Sequence, residues 1–362
     1  MRPCLVITLV ALAATLAAQS PISTDFENLD WLGVPRAPDS ACWVQPTIEA
    51  QLLAGEYPPR KQGGPVVDGD TLRMEGLKES LRLVGVDCEE TFKTSAKDKQ
   101  LKALAAKDWD EYLKTVLAGT TPARPPKFAS PMGEAARIFA QHFFDGVTKV
   151  RVELDDLERG IDYYGRQLCH VLVEKDGKWV NFNVELVRQG LSPYFVKYGH
   201  TRRFHENFLA AEKEAQANSR GIFGKPPKLP AYPDYELRLK WWHERDRALE
   251  YLNRREKAEP TMVLLGLDRE WKQALDLADQ QATIAGSAST LRHVSAGFGW
   301  IALGHRSNKD FLIVGSIEKL KQSPLVGFEG DYVLVTGKVS LHEGKPQMKL
   351  EDVTSVVRVP VE

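Results

Sequence analysis

The segment LRLVGVDCEET, residues 81–91, constrains the fold more than any other stretch of the sequence. Its first half is apolar at Leu81, Leu83 and Val84, a composition that β-strands favour. One arginine lies within the apolar half, and three acids and a cysteine crowd the second half. The segment therefore predicts a packed strand whose ends carry a charged site.

The spacing of the charges adds a condition on the backbone. Side chains alternate along a strand, so Arg82 and Asp87, five residues apart, would point to opposite faces of a regular strand. They can serve one site only if the strand bends or ends between them. Gly85 is the residue that permits such a bend.

A second acidic motif, VVDGDTLRM, precedes this strand and places Asp68 and Asp70 two residues apart. On a strand, the two carboxylates share one face and repel each other unless a cation neutralises them. Oxygen ligands without a histidine or cysteine pattern favour a hard ion such as Ca²⁺ over zinc. The alternative is a tight turn in which both aspartates are solvated.

Two arginines provide the complementary charge. A guanidinium presents a planar fork of donors that matches phosphate oxygens, which makes Arg82 and Arg166 candidate phosphate ligands. Arg166 lies in DYYGRQL, where Gly165 allows a bend and Tyr164 offers a hydroxyl. The alternative for each arginine is an ordinary ion pair.

Composition limits the class of protein. The chain has 362 residues, of which 43% are hydrophobic and 27% charged, so it can build two or three packed domains and is not disordered throughout. The formal net charge of −1 excludes a basic field over the whole molecule. A nucleic-acid site would therefore be a local cluster of cations.

The N-terminus has the pattern of a secretory signal peptide, with Arg2, an apolar run and then small residues. We predict a signal peptide at 1–18, a secreted, periplasmic or cell-envelope protein, and no stable membrane span in the mature chain. An uncleaved N-terminal anchor is the alternative. Cys42, Cys88 and Cys169 would then remain, enough for one disulfide and a spare thiol or for three buried thiols.

The rest of the chain divides by composition and periodicity. We predict an irregular lead-in at 19–64, a first domain at 65–224, and a Pro-rich linker with charged helices at 225–279. A small β-domain at 280–362 completes the chain. Within the first domain, the pattern predicts one continuous amphipathic helix at 98–117.

The motifs of the first domain together resemble the staphylococcal (thermo)nuclease-like family. They are VVDGDTLRM, LRLVGVDCEET, DYYGRQL, FNVELVRQGL and AEKEAQANSRGIFG, in the family's order. The resemblance implies a mainly β plus α protein, with a five-stranded OB-fold barrel and helices. It also implies Ca²⁺-dependent cleavage of DNA and RNA phosphodiesters that leaves a 5′-hydroxyl.

The resemblance assigns roles to individual residues. It implies that Asp70, Asp87 and the backbone carbonyl of Cys88 hold the metal, with Asp68 behind them. Glu90 would activate the attacking water, and Arg82 and Arg166 would bind phosphate. Tyr164 and Tyr198 would contact the nucleotide.

The chain also departs from the family pattern. Cys88 and Glu89 stand where the family often has threonine and proline, and Tyr163 and Val196 replace a lysine and a tyrosine that contact substrate. Residues 92–131 are longer than the family's loop, so the added segment is expected to cover or gate the substrate groove.

The C-terminal region resembles a second small OB-like barrel through VTGKVSLHEGKPQMKLED. Such barrels bind single strands through cations and exposed aromatics, here Trp300, Lys338, Lys345 and Lys349. A purely structural barrel is the alternative. The sequence thus predicts an exported calcium-dependent nuclease acting on DNA or RNA, and its alternative is an inactive nucleic-acid-binding protein.

Overall fold

The structure is a computed structural model that describes residues 52–118, 126–157, 160–162, 164–196, 199–266, 268–304, 310–326 and 330–359. The predicted signal peptide, Cys42, Tyr163 and Tyr198 lie outside the described residues. None of the helices in the described ranges combines the length and apolar character that a membrane crossing requires.

The first half of the described chain alternates strands and helices. Its elements are β1 (Leu53–Tyr57), β2 (Thr71–Leu72), β3 (Leu81–Leu83), α1 (Ala96–Lys107), α2 (Trp109–Leu117), α3 (Pro131–Phe143), β4 (Val150–Glu153), β5 (Gln167–Lys175), β6 (Lys178–Asn181), α4 (Phe182–Arg188) and α5 (His205–Ala217).

These strands form a six-stranded sheet in the order β1-β4-β5-β3-β2, with β6 paired to β5. The pairing of β3 with β5 is parallel, and the other pairings are antiparallel. An isolated bridge between Pro59 and Met74 joins the extensions of the two edge strands, β1 and β2. The linked edges give the sheet the curvature that an OB-type barrel needs.

The strand β3 ends early, at Leu83, because the chain turns at Val84 and Gly85. Gly85 has φ +80°, and a Cβ on it would lie 2.7 Å from the ring of Phe208 on α5. Both its backbone angle and its close packing therefore require glycine. The bend required between Arg82 and Asp87 is present at this residue.

The helix predicted at 98–117 is broken into α1 and α2, so the prediction of one continuous helix was wrong. Asp108 separates them with an extended backbone, at φ −151° and ψ 94°. Its carboxylate accepts a hydrogen bond from the backbone N–H of Glu111 at 3.0 Å. Aspartate competes in this way with helix continuation, and here it begins the second helix.

The second half contains α6 (Tyr235–Ala258), β7 (Met262–Leu264), α7 (Asp268–Asp276), β8 (Gln281–Ser287), β9 (Arg292–His293), β10 (Phe298–Leu303), β11 (Phe311–Ser316), α8 (Ile317–Gln322), β12 (Tyr332–His342), β13 (Lys345–Lys349) and β14 (Val356–Arg358). The strands form an eight-stranded sheet in the order β7-β8-β12-β13-β11-β10-β9, with β14 paired to β12. The sheet begins at Met262, upstream of the predicted residue 280.

The two sheets share the order of five strands. Counted along the chain, without β6 in the first sheet and without β7, β9 and β14 in the second, these five run first-fourth-fifth-third-second, with the third and fifth strands parallel. A helix precedes the fourth strand in each half, α3 in the first and α8 in the second. A bridge between Ala288 and Leu303 links β8 to β10, as the Pro59–Met74 bridge links β1 to β2. This repetition is compatible with the predicted second OB-like barrel.

The Pro-rich segment 225–233 packs against the first sheet rather than forming an exposed linker. Leu229, Ala231 and Tyr232 are buried, and the first two belong to the hydrophobic cluster of the first half. The same cluster includes Leu252 of α6 and Leu334 of β12. One hydrophobic core therefore extends from the first sheet through α6 to the second.

Candidate active site

The VVDGD segment forms an irregular turn, which is the alternative to a shared strand face, but the Asp70 carboxylate is buried and not solvated. The backbone N–H groups of Val67 and Asp68 both donate to the carbonyl of Thr71. A Cβ on Gly69 would lie 2.7 Å from the Cys88 sulfur, so only glycine lets the turn pack this closely. The Asp70 carboxylate is turned inward and is 4% exposed.

Arg82 joins the two acidic segments. Its Nη1 donates to Asp70 Oδ1, and its Nη2 donates to Asp87 Oδ1 at 2.9 Å. The other oxygen of Asp70 accepts the backbone N–H of Cys88 at 2.9 Å. One guanidinium fork thus holds together the two carboxylates proposed to bind the metal.

The two carboxylates differ in electrostatic environment. Burial raises the pKa of Asp70 to about 6, although the positive charge of Arg82 opposes the shift. Burial would also raise the pKa of Asp87, but the ammonium of Lys127 and the guanidinium of Arg82 outweigh it and lower the pKa below its usual value. Asp87 is therefore the more firmly ionised of the pair.

Glu90 contributes a carboxylate to the same site. It follows the bend at Gly85, and its backbone bridges to Ala129, before the N-terminus of α3. None of the described residues donates a hydrogen bond to its side chain, and that side chain lines the cavity defined below. A carboxylate in this position is available to hydrogen-bond a water molecule.

Glu89 differs from Glu90 because both of its carboxylate oxygens accept hydrogen bonds from other residues. Ser130 Oγ and the backbone N–H of Tyr232, at 2.9 Å, donate to its two carboxylate oxygens. Burial raises the pKa of Glu89 to about 7, although these hydrogen bonds and Arg238 oppose the shift. Glu89 therefore ties the N-terminus of α3 to the Pro-rich segment, which explains an acid without a family counterpart.

Arg166 reaches the site from the start of β5. Because β3 and β5 are parallel, with Leu81 opposite Gln167, Arg166 lies beside the start of β3. Asp162 orients it by accepting from Arg166 Nε at 2.8 Å and from its backbone N–H at 2.9 Å. The exposed ring of Tyr164 lies 5.4 Å from the guanidinium carbon.

These residues surround one cavity of about 270 Å³. Its lining consists of Asp68, Asp70, Thr71, Arg82, Cys88, Glu89, Glu90, Lys127, Tyr164 and Arg166. Seven of the nine predicted site residues are among them. Asp87 adjoins the cavity through Arg82, and Tyr198 lies outside the described residues.

Lys127 is a site residue that the sequence did not predict. This lysine belongs to the long segment between β3 and β4, and its Nζ lies 2.7 and 2.6 Å from the two oxygens of Asp87. It is 40 residues from its partner in sequence, and no motif surrounds it. The sequence gave one indication that Lys127 could reach the site: it lies within residues 92–131, which are expected to cover or gate the substrate groove.

The residues fit a hard divalent cation by the chemistry of their donors. Asp70 and Asp87 are adjacent carboxylates already paired with positive charge, and Asp68 accepts the backbone N–H of Asp70 at 3.3 Å. Among the described residues, no three side chains of His, Cys, Asp or Glu are grouped so as to hold a metal ion by themselves. A bound cation would therefore need backbone, water or substrate oxygens as well.

The two described cysteines, Cys88 and Cys169, are buried free thiols. Burial raises the pKa of the Cys88 thiol, with the nearby acid Asp70 adding to the effect. A thiol with a raised pKa is a poor nucleophile. The backbone N–H of Cys88 donates a hydrogen bond to Asp70 Oδ2 at 2.9 Å.

The second sheet carries aromatic and cationic side chains at the positions that the sequence singled out. Across β9, β10, β11 and β13, strand pairing places Arg292, Trp300, Val314 and Lys349 in one row. Lys345 is exposed on the same face of β13 as Lys349. Lys338 is also exposed, and its Nζ lies 3.1 Å from Asp279.

Comparison with known proteins agrees with the geometry. Residues 80–225 match the family model described as staphylococcal nuclease homologue. This segment is therefore a staphylococcal nuclease-like domain, and the resemblance seen in its motifs is confirmed. The turn with Asp68 and Asp70 lies just before the matched residues.

A relative is found in Methanocaldococcus jannaschii. It is an uncharacterised protein, 29% identical over 160 residues, which cover 44% of this chain and 68% of that protein. The similarity supports the domain and says nothing of its activity.

Proposed function

We propose that this protein is an exported, Ca²⁺-dependent nuclease that hydrolyses phosphodiester bonds of DNA or RNA and leaves a 5′-hydroxyl. The single observation that carries the proposal is that Glu90, Arg82 and Arg166 line one cavity with Asp70. Acids and arginines in one cavity can orient water and bind phosphate together.

The contacts support the roles that the resemblance implies. Arg82 and Arg166 donate hydrogen bonds to phosphoryl oxygens, and their guanidinium groups balance the negative charge that grows in the transition state. Glu90 accepts the proton of the water that attacks phosphorus. The bond from phosphorus to the 5′ oxygen breaks, and Arg166, held by Asp162, stabilises the leaving oxygen. This oxygen then takes a proton from solvent water and becomes the 5′-hydroxyl.

The calcium ion would be held by Asp70, Asp87 and the carbonyl of Cys88, with Asp68 orienting its water. When bound, it supplies positive charge that polarises the phosphoryl group. Tyr164, at the mouth of the cavity, would contact the substrate's terminal phosphate.

The activity is tested by cleavage of denatured DNA and of RNA with Ca²⁺ and with a chelator. Glu90→Gln and Arg166→Ala should each lower the rate by about 10²–10⁴-fold, because each removes a group that acts in the transition state. Glu174→Gln, at an exposed position on β5, serves as the matched control. Cleavage that persists in chelator and in both variants would contradict the proposal.

The same experiment separates the alternative function. An inactive nucleic-acid-binding protein would bind labelled single strands without cleaving them in any variant. The retained acids and arginines favour the enzyme, since their burial has a desolvation cost that a purely structural barrel would avoid.

Export and the role of the second barrel remain parts of the proposal. The N-terminal pattern supports removal of residues 1–18 on export. The row formed by Arg292, Trp300 and Lys349 has the mixture of stacking surface and positive charge that single strands bind. We propose that this face holds the substrate strand.

A further inference from the structure

We infer that Lys127 is an internal counter-ion of Asp87 that a divalent cation must displace, so that this lysine sets the metal affinity of the site. The inference rests on the proposed calcium-dependent function and adds a residue that controls it. Lys127 comes from the long segment that distinguishes this chain from the family pattern.

Lys127 forms an ion pair with both oxygens of the Asp87 carboxylate. Its Nζ lies 2.7 Å from Oδ1 and 2.6 Å from Oδ2, while Arg82 Nη2 also donates to Oδ1 at 2.9 Å. The Asp87 side chain is only 7% exposed, and both of its oxygens are thus engaged by cations. Metal and lysine would compete for the same oxygens.

Of the two cations on Asp87, Lys127 is the one free to leave. Arg82 is part of β3, its side chain is 12% exposed, and its other nitrogen donates to Asp70. The Lys127 side chain is 45% exposed and lies outside any helix or strand. A flexible lysine can swing into solvent without a change in the sheet.

Other parts of the chain hold the backbone on both sides of Lys127 in place. The hydroxyl of Tyr232 donates to the carbonyl of Phe128 at 2.8 Å, and Arg238 Nη2 donates to the carbonyl of Pro126 at 2.7 Å. Both partners lie beyond the matched family segment, in the Pro-rich segment and α6. The neighbours of Lys127 are therefore fixed from both sides, and only its side chain needs to move.

The test is direct calcium binding by titration calorimetry on the full chain, without substrate. Lys127→Met should bind Ca²⁺ about tenfold more tightly than the natural chain, because no competitor must be displaced. Lys127→Arg keeps the charge and should bind weakly, as the natural chain does. Asp87→Asn should weaken Ca²⁺ binding both in the natural chain and in Lys127→Met. That result would show that the titrated site includes Asp87.

A second measurement separates displacement from simple charge repulsion. Acetylation of Lys127 by an amine-reactive ester, followed by mass spectrometry, should become several-fold faster when Ca²⁺ is added. Lys225 is exposed and has no ion-pair partner among the described residues, so its acetylation rate provides the reference. A Lys127 rate that calcium leaves unchanged would overturn the inference.

The binding data also distinguish this inference from the proposed function. If Lys127→Met and the natural chain bind Ca²⁺ equally and Asp87→Asn weakens both, the metal site stands and the inference on Lys127 fails. If no variant binds Ca²⁺, the calcium-dependent function fails, and the inference fails with it.

Discussion

Glu89 and Glu90 are adjacent acids in different environments. Glu90 faces the cavity with a carboxylate that receives no hydrogen bond from the described residues. Glu89 is 2% exposed and fixes Ser130 and Tyr232. The difference arises because the chain is irregular from Val86 to Glu89, so successive side chains need not alternate as on a strand.

The buried carboxyl of Glu89 predicts a pH dependence of stability. Folding raises its pKa from 4.5 to about 7, so the folded state holds this proton more tightly than the unfolded state. The contribution of Glu89 to stability is complete below pH 4.5 and is lost as the pH rises through about 7. At about 1.4 kcal/mol per pKa unit, the loss is roughly 3 kcal/mol.

Glu89→Gln should remove this dependence, because an amide resembles the protonated acid and does not titrate. Urea unfolding at pH 5 and pH 8 should show a smaller difference in the free energy of unfolding for the variant than for the natural chain. The exposed Glu174→Gln is the control and should follow the natural chain. If the free energy of unfolding depends on pH in the same way in Glu89→Gln and in the natural chain, the pH dependence does not come from Glu89.

At the scale of elements, the bend after β3 brings the site together. Arg82 lies on the strand and Asp87 beyond it, yet their side chains are 2.9 Å apart. The turn packs against α5 through Phe208, and Phe195 donates its N–H to the carbonyl of Gly85 at 2.9 Å. The geometry of the site therefore depends on one glycine between two charged residues.

Gly85→Ala should destabilise the protein by about 2–4 kcal/mol, since it adds a clash to an unfavourable backbone angle. Gly76→Ala is the matched control: Gly76 has the same φ of +80°, and nothing lies within 4 Å of a Cβ there. This variant should lose only about 1 kcal/mol. The free energy of unfolding of both variants is measured with denaturant. Equal losses would mean that the close contact of residue 85 with Phe208 does not contribute to the destabilisation.

At the scale of the whole molecule, the core does not stop at the end of the nuclease-like domain. Leu229, Leu249 and Leu252 belong to the same hydrophobic cluster as Leu83 and Val171 in the first sheet. Tyr232 also binds Glu89 and the segment that carries Lys127. The Pro-rich segment and α6 therefore act as part of the first domain's packing.

A fragment that ends at residue 224 should consequently be much less stable than one that ends at residue 259. Each fully buried leucine that is lost removes about 1.5–3 kcal/mol of stabilisation, and several are lost together. Thermal unfolding followed by circular dichroism should show a cooperative transition for fragment 19–259 and a weak or absent one for fragment 19–224. Equal transition temperatures would show that 65–224 is an independent unit.

Much of the fold was predictable because local pattern and packing agreed. The helix at α3, the strand at β5 and the helix at α6 follow apolar periodicity over long stretches. The break at Asp108 was not predicted, and the turn at Gly69 was predicted only as the alternative to a strand. At residue 108 the aspartate side chain interrupts the helical pattern, and at residue 69 the absence of a side chain allows the close turn. One residue therefore decided the local structure against the surrounding hydrophobic pattern.

The sequence by itself determined the class of domain and the types of side chain in its site. Motif order identified the nuclease-like domain, residue chemistry indicated Asp70, Arg82 and Arg166, and the family resemblance added Glu90. The tertiary structure decided which charges meet: it placed Lys127 on Asp87 and buried Glu89 against Tyr232. These contacts join residues 40 and 143 positions apart. No local pattern encodes such pairs, because they depend on how separate elements pack in space.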